Sequence, residues 1–231
     1  MGTPARRLEA VVPEPPPLIP YYNSSVGLVP ASLGLTPQDT FTFYVGENKR
    51  VGLLDVGRQR TYYFIDSPLN PEPFAEGTDH REVLRARFTG WCESVQTLID
   101  HADPAVPPQV ICDYETLPTY VNGRIVLLGD AAHATTPTLG QGAAMALEDS
   151  LVLARQLRSH ERLHEALAAY VEERRPRASD VVHLARARTL AMLGVEPDSA
   201  AAWYARLKDA SVQDFIDQQV EIAATAPALS I

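Results

Sequence analysis

Small, rigid and titratable residues crowd one short stretch of this chain in an order suited to holding a ligand: Gly129-Asp130-Ala131-Ala132-His133, then Pro137, then Gly140-Gln141-Gly142. A glycine lets backbone approach a ligand closely, and a carboxylate beside it can accept hydrogen bonds from ligand hydroxyls. Gly140, Gln141 and Gly142 precede a helical run from Ala143 to Leu157. The unpaired amides and positive dipole end of such a helix favour an electron-rich ligand. Two glycines flanking Gln141 also leave room for a flat ring against the backbone.

The surrounding elements must position these residues. Ile125 to Leu128 is an apolar run without alternation, which predicts a strand buried on both faces. Ala144, Leu147, Leu151 and Ala154 recur at helical spacing and predict a core-packing stripe on the following helix. Upstream, Phe41 to Val45, Val51 to Val56 and Thr61 to Asp66 are rich in aromatic and β-branched residues. Gly46-Glu47-Asn48 and Gly57-Arg58-Gln59 separate them, the pattern of an antiparallel meander. Two helical patterns follow, His80 to Trp91 and Glu93 to Ala102, and then a strand from Gln109 to Tyr114. From Ala143 onward the chain reads as nearly all helix. Pro176 either kinks the segment Leu163 to Leu193 or ends one helix there, and a last amphipathic piece runs from Val212 to Ala224. The expected fold class is α/β (α+β), in four parts: a Pro-rich lead-in over 1–20, an antiparallel sheet with helices over 21–115, a strand-loop-helix over 116–160 and C-terminal helices over 161–231.

Composition narrows the function classes. The chain has 231 residues, 45% hydrophobic and 21% charged, ordinary values for a globular protein. A net charge of −9 argues against a nucleic-acid partner, whose binders are usually basic. No stretch reaches the ~18 apolar residues of a membrane span, and the N-terminus lacks the apolar core of a secretion signal, so the cytoplasm is the expected location. Cys92 and Cys112 show no C-x-x-C spacing and read as buried small hydrophobes, with no metal site expected.

The string Gly129-Asp130-Ala131-Ala132-His133, Pro137, Gly140-Gln141-Gly142, Glu148-Asp149 resembles the second FAD fingerprint of the class A flavoprotein monooxygenases, the para-hydroxybenzoate hydroxylase-like aromatic hydroxylases. Tyr170 and Glu172-Glu173-Arg174-Arg175-Pro176-Arg177 are similar to the segment that follows that fingerprint, and Phe41 to Asp66 looks like the substrate-domain sheet of the FAD-dependent urate hydroxylase branch. The likeness runs from about Val29 to Leu184. None of the 13 glycines falls in a G-x-G-x-x-G arrangement, and the later Asp-Gly motif of the family is also missing. The resemblance therefore implies a truncated FAD/NAD(P)-binding-type fold that keeps the flavin-ring side and lacks the adenosine side.

What the resemblance implies for the site can be stated residue by residue. Gly129, Asp130, Pro137, Gly140, Gln141 and Gly142 would bind FAD, with Asp130 on the ribityl chain, although an isolated Gly-Asp is usually a plain cap or turn. Pro137 would shape the oxygen site while also serving as a stiff turn. Amides at the helix start would stabilise negative charge on the reduced ring. His133 reads as a structural side chain. Arg50 and Tyr62 stand where the urate branch acts on its substrate, and as plain residues they read equally as a solvated arginine and a core aromatic. Whether they share a face depends on the turn at residues 57–60. Urate-type members place an aspartate directly after the motif proline, whereas this chain has Thr138, so urate itself is not the expected substrate.

The implied activity is an NAD(P)H- and FAD-dependent monooxygenase acting on a small aromatic or hydrophobic molecule. FAD binding is expected to be weak or partner-dependent, with a separate N-terminal-half subunit or a homodimer completing the protein. The alternative is a flavin-independent remnant that binds a small hydrophobic metabolite or catalyses a redox-neutral step.

Overall fold

The computed structural model describes Glu14 and residues 16–46, 48–193 and 197–224. Most of the Pro-rich lead-in therefore lies outside the described residues. The chain divides into two compact units, residues 20–111 and residues 112–231 together with 1–19.

The first unit is built on an antiparallel sheet. Its strands are β1 (Ile19–Pro30), β2 (Phe41–Gly46), β3 (Lys49–Asp55), β4 (Arg60–Pro68) and β5 (Gln109–Asp113), in the order β2-β3-β4-β1-β5. The meander expected over residues 41–66 is present, tightened by Asn48, Arg58 and Gln59 at positive φ. The twelve-residue β1 has no counterpart in the sequence reading, because Asn23, Ser24, Ser25 and Gly27 break any apolar alternation. It enters the sheet by pairing with β4 from Tyr22↔Pro68 to Pro30↔Arg60.

Strand alternation gives this sheet two different faces. Val29, Val51, Leu53, Tyr63 and Ile65 point to a core shared with Leu84 and Phe88 around helix α1 (His80–Arg87) and with Val95, Leu98 and Ile99 of α2 (Glu93–His101). Asp79 caps α1 by accepting a hydrogen bond from the Arg81 amide. Cys92 stands at the N-cap of α2 and is exposed, and Cys112 is only partly buried. Both are free thiols, so the expectation of buried cysteines is corrected: neither lies in an apolar stripe that would draw it inward.

The second unit carries a two-stranded ribbon, β6 (Val121–Asn122) and β7 (Ile125–Val126), followed by a short helix α3 (Asp130–His133) and a 3-10 turn at Pro137–Leu139. Helices α4 (Gly142–Ser159), α5 (Leu163–Met192), α6 (Pro197–Asp209) and α7 (Val212–Ala224) complete it. Two sequence expectations change here. Instead of a four-residue strand buried on both faces, β7 has two residues, pairs with β6 alone among the described strands, and leaves Ile125 half exposed. The stripe expected to pack is also outward: Leu147 is 67% and Leu151 48% exposed, while Met145, Glu148, Asp149 and Val152 are the buried positions. Pro176 does not end the helix, since α5 runs through it. No helix among the described residues is long and apolar enough to cross a membrane.

Gly27 tests the packing of the core face. A Cβ added there would lie 2.6–2.9 Å from the ring and hydroxyl of Tyr63, its direct partner across the strands, and that ring is buried. Gly27→Ala is therefore expected to cost about 1–3 kcal/mol of stability, read as a lowered urea midpoint. An unchanged midpoint would show that the Tyr63 ring is free to move.

Candidate functional site

The turn after β7 owes its shape to glycine. Gly129 has φ 56 and ψ −140, a region that side-chain-bearing residues avoid. A Cβ there would also meet the Cβ of Ala146 on α4 at 3.1 Å. Asp149, fully buried on α4, clamps this turn with one carboxylate oxygen. Its Oδ2 accepts from the Gly129 amide at 2.8 Å and pairs with His133 Nε2 at 2.7 Å. Its other oxygen accepts from Arg174 Nε of α5 at 2.7 Å.

Arg174 in turn donates to Glu148 at 2.6 Å and to the Met145 carbonyl at 3.3 Å, and Arg177 donates to Glu148 and to the Ile222 carbonyl of α7. Burial raises the Asp149 pKa, but His133, the Gly129 amide and Arg174 outweigh it, and the net shift is downward. His133 is thus a buried member of this network. Tyr170 and Tyr114 fix the flanks by donating to the Leu127 and Asp130 carbonyls at 3.0 and 2.9 Å. Burial, with the nearby Asp130 adding to it, pushes the Tyr114 hydroxyl up to about 12 despite an opposing backbone hydrogen bond, so it remains a donor.

With its carbonyl held, Asp130 presents an exposed carboxylate that hydrogen-bonds to no described residue. Pro137 opens the 3-10 turn and is exposed, and Gly140 ends it in the left-handed region at φ 66. Gln141 is the N-cap of α4, yet no side chain caps that helix start and no acidic residue stands in its first turn. The positive end of an 18-residue helix is therefore left for an outside acceptor. Thr138 turns the other way. Its hydroxyl donates to the Ala185 carbonyl at 3.0 Å and contacts Thr136 and Thr189 at 3.0 and 3.2 Å, so it is committed to α5.

In the first unit, the sheet face opposite the core carries Arg50 and Tyr62. The register pairs Arg50 with Asp66, Gly52 with Phe64 and Leu54 with Tyr62, which puts both side chains on one face. Arg50 Nε donates to Asp66 at 2.5 Å and Nη2 to the Tyr22 hydroxyl at 3.2 Å, while Ser24 donates to the other Asp66 oxygen at 2.5 Å. The guanidinium lies 5.2–5.8 Å from the ring centroids of Tyr22, Phe43 and Phe64. Burial raises the Asp66 pKa while Arg50 and Ser24 oppose it, and burial and Asp66 together raise those of Tyr22 and Tyr62. Arg50 Nη1 and the Tyr62 hydroxyl make no hydrogen bond to a described residue, so the face offers two unused donors.

The predicted residues thus fall into two groups, Gly129, Asp130, Pro137, Gly140, Gln141 and Gly142 in one unit and Arg50 with Tyr62 in the other. The sequence reading gave no role to Asp66, Ser24, Asp149, Glu148 or Arg174. A signal existed: Glu148 and Asp149 sit between Met145 and Val152 at helical core spacing, and Arg174 and Arg177 recur three apart on one helix face.

An antiparallel sheet with a buried Arg50–Asp66 pair on the face opposite its core, and a glycine-carboxylate turn against a helix start, have known counterparts. The FAD binding domain family matches residues 75–185. A FAD-dependent urate hydroxylase of Mycolicibacterium vanbaalenii is 42% identical over 192 residues, covering 81% of this chain and 48% of that protein. The aurachin C monooxygenase/isomerase of Stigmatella aurantiaca is 36% identical, covering 82% of this chain and 49% of that protein. Among solved structures, Klebsiella pneumoniae HpxO complexed with FAD and uric acid superposes with a TM-score of 0.87 at 34% identity, over 95% of this chain and 57% of that one. In sequence and in fold the chain is similar, over most of its length, to FAD-dependent hydroxylases. It spans about half the length of the curated relatives it matches.

The buried clamp makes a stability prediction. Asp149→Asn removes a carboxylate on which Arg174 depends and is expected to cost about 3–5 kcal/mol near neutral pH. A folded-state pKa below the ordinary value of about 3.9 contributes stability above that pH and loses it as pH falls through the folded value. Urea titrations at several acidic pH values should therefore show a shallower acid-side loss in the variant than in the wild type.

Proposed function

We propose that this chain supplies the flavin-ring and substrate side of an FAD-dependent monooxygenase that acts on small aromatic or hydrophobic molecules with NAD(P)H as reductant. The observation that carries this reading is the Gly129-Asp130 turn, clamped by Asp149 and set beside the uncapped start of α4. The residues fit a flavin by their chemistry. The tight packing of Gly129 on Ala146 leaves the exposed Asp130 carboxylate to accept hydroxyl hydrogen bonds from a sugar-alcohol chain. The amides around Gly142 meet an electron-rich ring edge, and Gly140 keeps side-chain bulk away from it.

FAD, when bound, supplies the redox and oxygen-transfer chemistry. The protein's own contribution is electrostatic and positional. The helix start stabilises negative charge that develops on a ring held there, without reorganising. Pro137 holds a stiff backbone at the head of the same loop. Arg50 and Tyr62 bind and orient a substrate oxygen by donation, and burial together with Asp66 raises the tyrosine pKa, so its hydroxyl stays protonated at neutral pH. With Thr138 bound to Ala185, the residue after the motif proline contributes no base. In the whole protein a dinucleotide-binding half, in the same chain or as a separate subunit, would hold the adenosine part of the cofactor, and a cytoplasmic setting would supply the nicotinamide.

Fluorescence titration with FAD and with FMN tests this reading. If the chain holds only the ring and ribityl chain, both flavins should bind saturably with similar affinity, and Asp130→Ala should weaken both at least tenfold, about 1.4 kcal/mol. A folded chain with no affinity for either flavin overturns the flavin-site reading and favours a flavin-independent binder of hydrophobic metabolites.

A further inference from the structure

The open face of the first unit's sheet is far more apolar than a surface needs to be. At the level next to the Arg50–Asp66 pair, Phe43 and Phe64 meet edge to face with centroids 5.5 Å apart, and Phe41 stands 5.3 Å from Phe43. One level further, Leu54 and Tyr62 pair, with Leu28 beside Tyr62 on β1. Phe41 is 55%, Leu28 50%, Phe43 41% and Leu54 37% exposed, although the core of this unit lies on the opposite face and gains nothing from them. No charged residue belongs to the Gly52–Phe64 or Leu54–Tyr62 levels. The strip from Arg50 to Leu54 spans five residues of strand, whose four rises come to about 13 Å.

Its polar end is also balanced. Arg50 is the cation there, and Asp66 lies within 2.5 Å of its Nε, so a second carboxylate would be repelled by the first as much as drawn to the guanidinium. Nη1 remains as a donor beside the rings of Phe43 and Phe64, a setting for a neutral acceptor oxygen on a planar ring. Gly52 makes room for one wall of that setting: the Phe64 ring lies over it, with ring atoms 2.1–2.9 Å from where a Cβ would stand.

We infer that the substrate is an uncharged planar ring with one oxygen acceptor and a long apolar substituent, the oxygen on Arg50 and the substituent along Phe41, Leu54 and Leu28. This deepens the reading of the sheet face as the substrate wall and rests on it. A small anionic ring would leave the apolar strip in water and set its charge against Asp66.

Calorimetric titration of the full chain with 4-quinolone, 2-heptyl-4-quinolone and salicylate separates the two claims. The heptyl compound should bind at least tenfold tighter than the bare ring, as burial of two or more methylenes supplies, with salicylate weakest. The double variant Phe41→Ser, Leu54→Ser alters exposed residues and should remove the heptyl advantage while leaving 4-quinolone within about twofold. Arg50→Lys keeps a cation for Asp66 but loses the donor fork, and should weaken both quinolones by the same factor. If the two quinolones bind equally, or salicylate binds as tightly, while Arg50→Lys still weakens binding, the inferred substrate class fails and the substrate wall stands. If no probe binds, or no substitution changes binding, the wall itself is overturned.

Discussion

One fully buried carboxylate organises the cofactor-side unit. Asp149 reaches from α4 to the backbone of a turn, to a histidine and to an arginine on α5, using one oxygen for the first two and the other for the third. Burying a carboxylate is costly, and here three partners offset that cost. Because one partner is the Gly129 amide, the position of the turn is tied to the register of two helices. Arg174 could not be lost without leaving Glu148 and Asp149 buried together, so the helices and the turn form a single mechanical unit.

The same logic, a buried acid serving an arginine, appears independently in the sheet unit. Asp66 lies at the register position of Arg50, and Ser24 from the neighbouring strand occupies its second oxygen. An arginine on an open sheet face would otherwise sample many rotamers. The ion pair and the Tyr22 contact hold the buried guanidinium among aromatic rings and leave one of its nitrogens without a hydrogen bond to a described residue. Both sites thus present functional groups whose orientation is fixed from beneath by a second layer of side chains.

Much of this architecture is legible in the chain. The meander at residues 41–66 announces itself through β-branched and aromatic alternation with turn residues between, and α1, α2 and α7 through helical spacing. The loop from Gly129 to Gly142 is legible because glycine, proline and aspartate at those intervals have few other uses. Two classes of feature are hidden. β1 is hidden because polar residues turn inward there to tertiary partners: Ser24 bonds Asp66 and Asn23 accepts from the Asn70 amide. The buried face of α4 is hidden because hydrophobicity selects Leu147 and Leu151, whereas the residues that turn inward include Glu148 and Asp149, whose arginine partners lie 25 or more residues away on α5. Periodicity finds the stripe that is oily, not the stripe that is bonded. The common face of Arg50 and Tyr62 likewise required the register, which the Gly57–Arg60 hairpin sets.

The two sites also share an electrostatic economy. The start of α4 offers partial positive charge from backbone amides without a cation, and the sheet face offers a guanidinium already matched by a carboxylate. Neither presents an uncompensated cation to a resting ligand. Such sites gain most when charge develops on the bound molecule, because oriented amides and a fixed guanidinium donor respond at once and need no reorganisation. A strong fixed cation would instead hold an anionic ground state tightly and stabilise the reacting state no better. Thr138 fits the same economy: its hydroxyl is spent on Ala185, so it adds no group of its own beside the backbone dipoles of the helix start. The chemistry this arrangement suits is therefore one in which the ligand brings its own electron-rich centre, and the protein's work is to orient it and to steady the charge that forms.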